Sequence, residues 1–369
     1  MIRVLHYGLS PNRGGIENYI YKIWSNIDKG EFHFDFADEW SGRAYYRKEL
    51  EEDGCSFYDI TQRRISLRKN RCDWMRAIGE SKADIVHCHL NTMSYDTPIR
   101  CAMKSGVKII VHSRNSGGKS SLFTQSMHRI NRAKYSGYDF GRLAVSRKAG
   151  EWLYGNGKSF TVINNGIDTA KYRYSDEKRE KLRKELGIGN DTFLIGNVAA
   201  FLDAKNHGFL IDIFNRILKI NRNSMLVLSG EGPLRLQIEQ KIQSLGIGDN
   251  VILTGNRPDI PDLLCALDVF VMPSKYEGFP NAVLEAQTSG LRCFISDVIT
   301  DEVDAGFCEY LPLQEDAMFW AEKIIEYYDL CKYGTAGRVE AFKIVDDAGF
   351  SVRDEIKKLE QIYRDTVKG

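Results

Sequence analysis

Short apolar runs alternate with longer amphipathic stretches along the whole chain. Ile2 to Tyr7 reads as a buried strand, and Phe32-His33-Phe34-Asp35-Phe36 alternates with a period of two. Gly54 to Tyr58, Asp84 to His89, Val107 to Val111 and Leu143 to Ser146 continue the series, each with the length and content of a strand. Helical stretches separate them: Asn18 to Ile27, Leu67 to Gly79, and a helix through Trp152 with Ser146 as its N-cap. A highly charged helix from Ser175 to Leu186, ended by Gly187, leads into a second series. Its runs are Phe193 to Ala199, Met225 to Ser229, Val251 to Gly255, Val269 to Met272 and, as the last strand, Leu291 to Ser296. Helices are expected at 317–329 and 352–366. Strand and helix alternating throughout predicts an α/β chain of two Rossmann-like parallel-sheet domains. The expected boundaries are residues 1–170 and 171–345, with 346–369 as a C-terminal helical segment.

Composition narrows the setting. A length of 369 residues suits two domains of ordinary size. No apolar run approaches a membrane span, and Met1 to Leu5 starts directly as a strand, so no signal peptide is expected. Eight cysteines are scattered without a C-x-x-C pair, which points to packed thiols in a reducing cytoplasm. The near-neutral net charge of +1 hides an asymmetry: 26 Lys+Arg stand against 18 Asp+Glu in residues 1–170, and 25 against 32 in the remainder. The densest basic cluster is Arg63-Arg64 with Arg68-Lys69 and Arg71. A basic half of this kind either docks on an anionic membrane surface, attracts an anionic substrate, or faces the acidic half. Nothing in the sequence suggests a nucleic-acid partner.

One stretch carries most of the chemistry. The strand Val269 to Met272 stops at Pro273-Ser274, Gly278-Phe279-Pro280 makes a turn, and a helix follows with Pro280 in its first turn. Glu277 falls in the loop, and Glu285 lies inside the helix, about one to two turns on. A helix N-terminus at the carboxyl end of a strand is where open α/β sheets bind ligands, and its N–H groups suit phosphate. The two carboxylates would repel the phosphate itself. They suit hydroxyls beyond each end of a diphosphate, a ribose on one side and a sugar on the other.

In the first half, Gly14-Gly15 follows the first strand and opens a helix, but G-x-G-x-x-G is missing, so a dinucleotide is not indicated. His87 and His89 share one side of their strand with no third ligand suitably spaced nearby. No D-x-D-like acidic cluster stands out either, and no metal is expected. His112 lies just past the strand Val107 to Val111, at its carboxyl end.

Pro273 to Gly290, P-S-x-Y-E-G-F-P-x-x-x-L-E-A-x-x-S-G, resembles the E-x7-E signature of retaining glycosyltransferase family 4, most of all its capsular and exopolysaccharide branch. The resemblance extends through most of the chain. It implies the GT-B fold, with two Rossmann-like domains facing a cleft and a final helix that crosses back to the first. Gly14, Gly15 and Glu17 match the family's G-G-x-E loop, which borders the donor phosphates and the acceptor. His112 matches the cleft histidine that contacts the donor sugar. Val162 to Asp168 resembles the linker V-I-x-N-G-I-D, with Asn164 for the usual Pro. Gly230-Glu231-Gly232-Pro233 resembles the G-x-G-P turn beside the donor, and Asn256 to Ile260, including Arg257, the loop at the nucleobase. Ala200 to His207 resembles G-R-x-x-x-x-K-N-H. Lys205 matches the Lys, but Ala200 stands where the family has an Arg that grips the diphosphate, and Arg292 stands where it usually has Pro.

The resemblance implies transfer of a sugar from a nucleotide-sugar, by its branch a UDP-sugar, to a lipid-linked or saccharide acceptor in surface polysaccharide biosynthesis. The implied catalytic residues are Glu277, His112 and Lys205. The implied donor-binding residues are Glu285, Gly14, Gly15, Gly278, Phe279, Pro280, Asn281, Gly232 and Arg257. Neither cofactor nor metal is implied, and the protein is expected in the cytoplasm or peripherally on the inner membrane face. Losing one fixed cation at a diphosphate leaving group costs on the order of several kcal/mol of transition-state stabilisation. Arg13, Arg114 and Arg292 are the candidate substitutes. The competing expectation is a catalytically weakened GT-B partner subunit of a polysaccharide assembly complex.

Overall fold

The computed structural model describes residues 1–12, 14–117, 121–331 and 336–369. The chain divides into two compact units, Met1–Asn165 with Val352–Gly369, and Gly166–Ser351. Arg13, one of the candidate cations, lies outside the described residues.

The first unit is a seven-stranded parallel sheet of β1 (Ile2–Tyr7), β2 (Phe32–Asp38), β3 (Phe57–Asp59), β4 (Ile85–Leu90), β5 (Lys108–Ser113), β6 (Gly141–Ala144) and β7 (Thr161–Val162), in the order β3-β2-β1-β4-β5-β6-β7. Both faces are covered, as all-parallel sheets require. Val4 packs with Tyr19, Trp24, Phe32 and Phe34 on one side, and Leu5 with Trp74, Val86 and Val111 on the other. The terminal helix Val352–Lys368 completes the first of these faces. Ile356, Leu359 and Tyr363, spaced i, i+3 and i+7, are buried there, and Tyr363 meets the Phe34 ring edge-on. Burying each such side chain stabilises by about 1.5–3 kcal/mol.

The second unit is a six-stranded parallel sheet of β8 (Phe193–Val198), β9 (Ser224–Ser229), β10 (Val251–Gly255), β11 (Val269–Met272), β12 (Arg292–Ser296) and β13 (Cys308–Leu311), in the order β10-β9-β8-β11-β12-β13. Leu291 to Ser296 is therefore not the last strand. Cys308–Leu311 pairs beyond it as a four-residue edge, too short and too polar in the middle to give a clear signal. The third strand begins at Phe57 rather than Gly54, because Gly54 is in a turn at φ +92°. Pro280 precedes the helix Asn281–Thr288 as its N-cap residue rather than sitting inside its first turn. Among the described residues no helix is long and apolar enough to cross a membrane.

Candidate functional site

In the second unit the loops after β8, β9 and β11 share the carboxyl edge of the sheet, because β8 lies between β9 and β11. Backbone bonds fasten them together. Phe201 N–H donates to Glu231 O at 2.9 Å and Leu234 N–H to Phe201 O at 3.2 Å, tying the β9 turn to the β8 loop. Lys275 N–H donates to Ala204 O at 2.8 Å, and Asn206 Nδ2 to Pro273 O at 3.1 Å, tying the β8 loop to the β11 loop. The glycines of the β9 turn are there for this contact. A Cβ on Gly230 would lie 2.0 Å from Ala199 O, and one on Gly232, at φ +159°, 2.6 Å from Phe201 O.

The pinned loops bring Lys205 and Glu277 together. Lys205 Nζ donates to both carboxylate oxygens of Glu277, at 2.7 and 2.9 Å. Glu277 is nearly enclosed, at 9 % side-chain exposure, and Lys205 is at 22 %. Asn206 turns the chain in the left-handed region, φ +56°, straight into the helix His207–Ile220. His207 is buried edge-on against Phe201, and burial, then the charge of Lys205, pushes it down to about 4. Lys205 is thus the cation of this loop, and the exposed Ala200 adds none.

The remaining predicted residues of this unit are placed as follows. The helix Asn281–Thr288 starts at the same edge, with Glu285 half-buried on it. Phe279 and Pro280 are buried, Phe279 facing Phe350, so their contribution to any ligand falls to the backbone. Arg257 lies after β10 with its fork on Asp259, at 2.6 and 2.9 Å, and one nitrogen 3.3 Å from Glu185. The hydrogen bonds to Asp259 hold its pKa above the usual arginine value. Arg292 is removed from the site. It begins β12, at the amino end of the strand, four residues from the edge where the loops gather, and it pairs with Glu309 at 3.1 Å.

In the first unit, Glu17 is buried and accepts the Ser10 N–H at 2.9 Å. Gly14 leaves room for that carboxylate, since a Cβ there would lie 2.8 Å from it, while Gly15 opens the helix with open space around it. His112 lies inside β5, one residue before its end, rather than just past the strand, and stands beside His89 on β4 as the register pairs them. The expectation that His87 and His89 have no third imidazole near them is wrong. β1 lies next to β4, so His6 pairs in register with His87, and nitrogens of His6, His87 and His89 fall within 4.8 Å of one another. The geometry is nevertheless that of a hydrogen-bonded chain. His6 Nδ1 and His89 Nε2 meet at 3.1 Å with the ring planes 10° apart and the centroids 5.4 Å apart, edge facing edge. Two nitrogens on a tetrahedral zinc ion stand ~3.3 Å apart with their lone pairs converging on the metal, whereas these two rings point at each other along one line. His87 stacks on His89 at 4.2 Å and bonds Tyr363 Oη at 2.7 Å. Burial holds all four histidines well below their ordinary value, His6 down to about 3.

Arg114 completes this edge. Its guanidinium lies 3.8 Å from the centroid of the Tyr19 ring, donates to Asn165 Oδ1 at 2.9 Å and stands 3.3 Å from His112 Nε2. Tyr19 gave no signal in the sequence and Asn165 only its place in the linker motif, because their contact with Arg114 exists only once the Gly15–Asn26 helix has packed on the sheet and β7 has joined it two strands from β5.

The chain resembles known proteins in sequence and in fold. Residues 178–330 match the family described as Glycosyl transferases group 1. The chain is 31% identical to the Bacillus subtilis (strain 168) protein named "Putative glycosyltransferase EpsF", over 87% of this chain and 86% of that one. It is 25% identical to the Escherichia coli UDP-Gal:alpha-D-GlcNAc-diphosphoundecaprenol alpha-1,3-galactosyltransferase, over 99% and 97%. The crystal structure of Anabaena Alr3699/HepE in complex with UDP and glucose superposes with a TM-score of 0.80 at 20% identity, covering 99% of this chain and 100% of that one.

Proposed function

The chain belongs to the group 1 glycosyltransferases and has their GT-B fold, and on that premise we propose that it is a retaining, metal-independent transferase that moves a sugar from a UDP-sugar to a lipid-linked saccharide. The observation that carries this reading is the Lys205–Glu277 pair, held at the carboxyl edge of the second sheet beside the N-terminus of the helix that bears Glu285. Lys205 and the N-terminus of that helix take the diphosphate. Glu285 takes the ribose hydroxyls, and Glu277 orients the sugar. Binding then redistributes partners that are already present: the phosphate replaces Glu277 on Lys205, and the sugar hydroxyls replace Lys205 on Glu277. Buried and neutral, His112 serves as a hydrogen-bonding group rather than as a cation. The leaving phosphate deprotonates the acceptor hydroxyl on the same face of the sugar. The first unit binds the acceptor and the second the donor.

The donor assignment follows relatives that act on or bind a UDP-sugar or UDP, and the lipid-linked acceptor follows the Escherichia coli relative. A lipid-linked acceptor calls for contact with a membrane surface. The helix Leu122–Lys134 of the first unit supplies it, with Leu122, Phe123 and Ile130 exposed beside Arg129 and Lys134. The protein works in the cytoplasm, at the inner membrane face. The test is release of free nucleotide from a panel of UDP-, GDP- and dTDP-sugars by the purified protein. Release from a UDP-sugar alone is expected. Release from a GDP- or dTDP-sugar in its place would overturn the donor assignment.

A further inference from the structure

We propose that Arg114 is a phosphate receptor of the first unit, the fixed guanidinium that meets the diphosphate of a lipid-linked acceptor. This inference rests on the transferase reading above. Three observations carry it.

The first is position. Arg114 directly follows β5, at the carboxyl edge of the first sheet, two residues from His112. The second is an uncompensated charge. Other shielded arginines of this chain sit on carboxylates: Arg47 on Asp38, Arg183 on Asp268, Arg257 on Asp259. Arg338, buried without a carboxylate, instead donates from all three of its nitrogens to the carbonyls of Ser289, Leu267 and Leu264. Arg114 has neither arrangement. Of its five N–H donors, only those toward Asn165 and His112 find acceptors among the described residues, and both acceptors are neutral. No carboxylate of the described residues lies within ion-pair distance. Glu355 acts on Arg114 only at longer range and is already paired with Lys22. The third is rigidity. The Tyr19 ring under the guanidinium and the Asn165 amide hold the fork in place, so it is set in advance for a doubly bonded oxyanion. A partly exposed cation built this way is short of an anion. In the proposed reaction the anion that reaches the first unit is the diphosphate of a lipid-linked acceptor.

The experiment measures UDP affinity, and KM for a synthetic polyprenyl-diphosphate-sugar, in the wild type and Arg114→Gln. In Arg114→Gln the acceptor KM is expected to rise tenfold or more with UDP binding unchanged, while the same sugar on an alkyl chain without diphosphate is unaffected. A well-folded Arg114→Gln protein with an unchanged acceptor KM overturns the proposal. Should that variant not fold, phenylglyoxal labelling of the wild-type protein decides. Protection of Arg114 by inorganic pyrophosphate or the polyprenyl-diphosphate-sugar is expected, and equal labelling with each of them and without overturns it. Sugar turnover that ignores Arg114 sinks this inference alone. Protection of Arg114 in a protein that turns over no nucleotide-sugar sinks the activity reading instead.

Discussion

His6, His87, His89 and His112 form a buried ladder of imidazoles whose nearest charged neighbour is Arg114. Protonating any of them inside the sheet is costly, first because burial strips the cation of water. The consequence for stability has a definite sign. In the unfolded chain these side chains bind protons as the pH falls through 6.5, while in the folded unit they stay neutral. Their contribution is therefore fully present above pH 6.5 and is lost as the pH falls toward the folded values, about 3 for His6. Each histidine that remains neutral costs about 1.4 kcal/mol per pH unit below 6.5. Urea unfolding at pH 7.5 and 5.5 checks this. A clearly lower midpoint at pH 5.5 is expected, and equal midpoints would contradict the assignment of neutral buried imidazoles.

Among the elements, the helix Leu122–Lys134 has an outer face unlike the others. Its inner face is anchored: His128 accepts the Met93 N–H at 3.0 Å and stacks on Trp152 at 4.6 Å, and Asn131 donates to Met93 O. Its outer face leaves Leu122, Phe123 and Ile130 at 82, 69 and 58 % exposure, with Arg129 and Lys134 exposed beside them. Phe123 and Ile130, seven residues apart, lie on one stripe. Apolar side chains flanked by cations suit an anionic bilayer. Sedimentation with phosphatidylglycerol vesicles is expected to carry the protein down, and neutral phosphatidylcholine vesicles to leave it in solution. Replacing Leu122 and Phe123 by Ser is expected to lower partitioning about tenfold or more, from the apolar surface lost. Partitioning that ignores both lipid charge and these substitutions would contradict the docking role. The basic cluster from Arg63 to Arg71 drew more attention in the sequence. In the structure Arg63 spends part of its charge on Ser94 O at 2.9 Å, and its guanidinium lies over the Tyr95 ring.

Taken as a whole molecule, the chain shows which features local sequence encodes and which depend on topology. The strand–Pro-Ser–loop–helix run from Val269, the glycine turns after β1 and β9, and the alternation of helix and strand are local, and they were legible because their signals lie within a few residues of one another. The third imidazole was not. His6 and His87 are 81 positions apart, and only the order β2-β1-β4 sets them side by side. The same holds for Arg114, whose partners come from the Gly15–Asn26 helix and from Asn165, and for Arg292, whose distance from the site depends on which end of β12 it occupies. The pairing of Lys205 with Glu277 spans 72 positions. The motif brought both residues to notice, but their contact appears only where the β8 and β11 loops meet. The most direct measurement compares nucleotide release from a UDP-sugar by the wild-type protein and by Glu285→Ala, at matched folding. A loss of two to three orders of magnitude, about 3–4 kcal/mol of transition-state binding, is what a carboxylate on the donor ribose predicts. Near-normal release by Glu285→Ala would contradict the placement of the donor on the second unit's sheet edge.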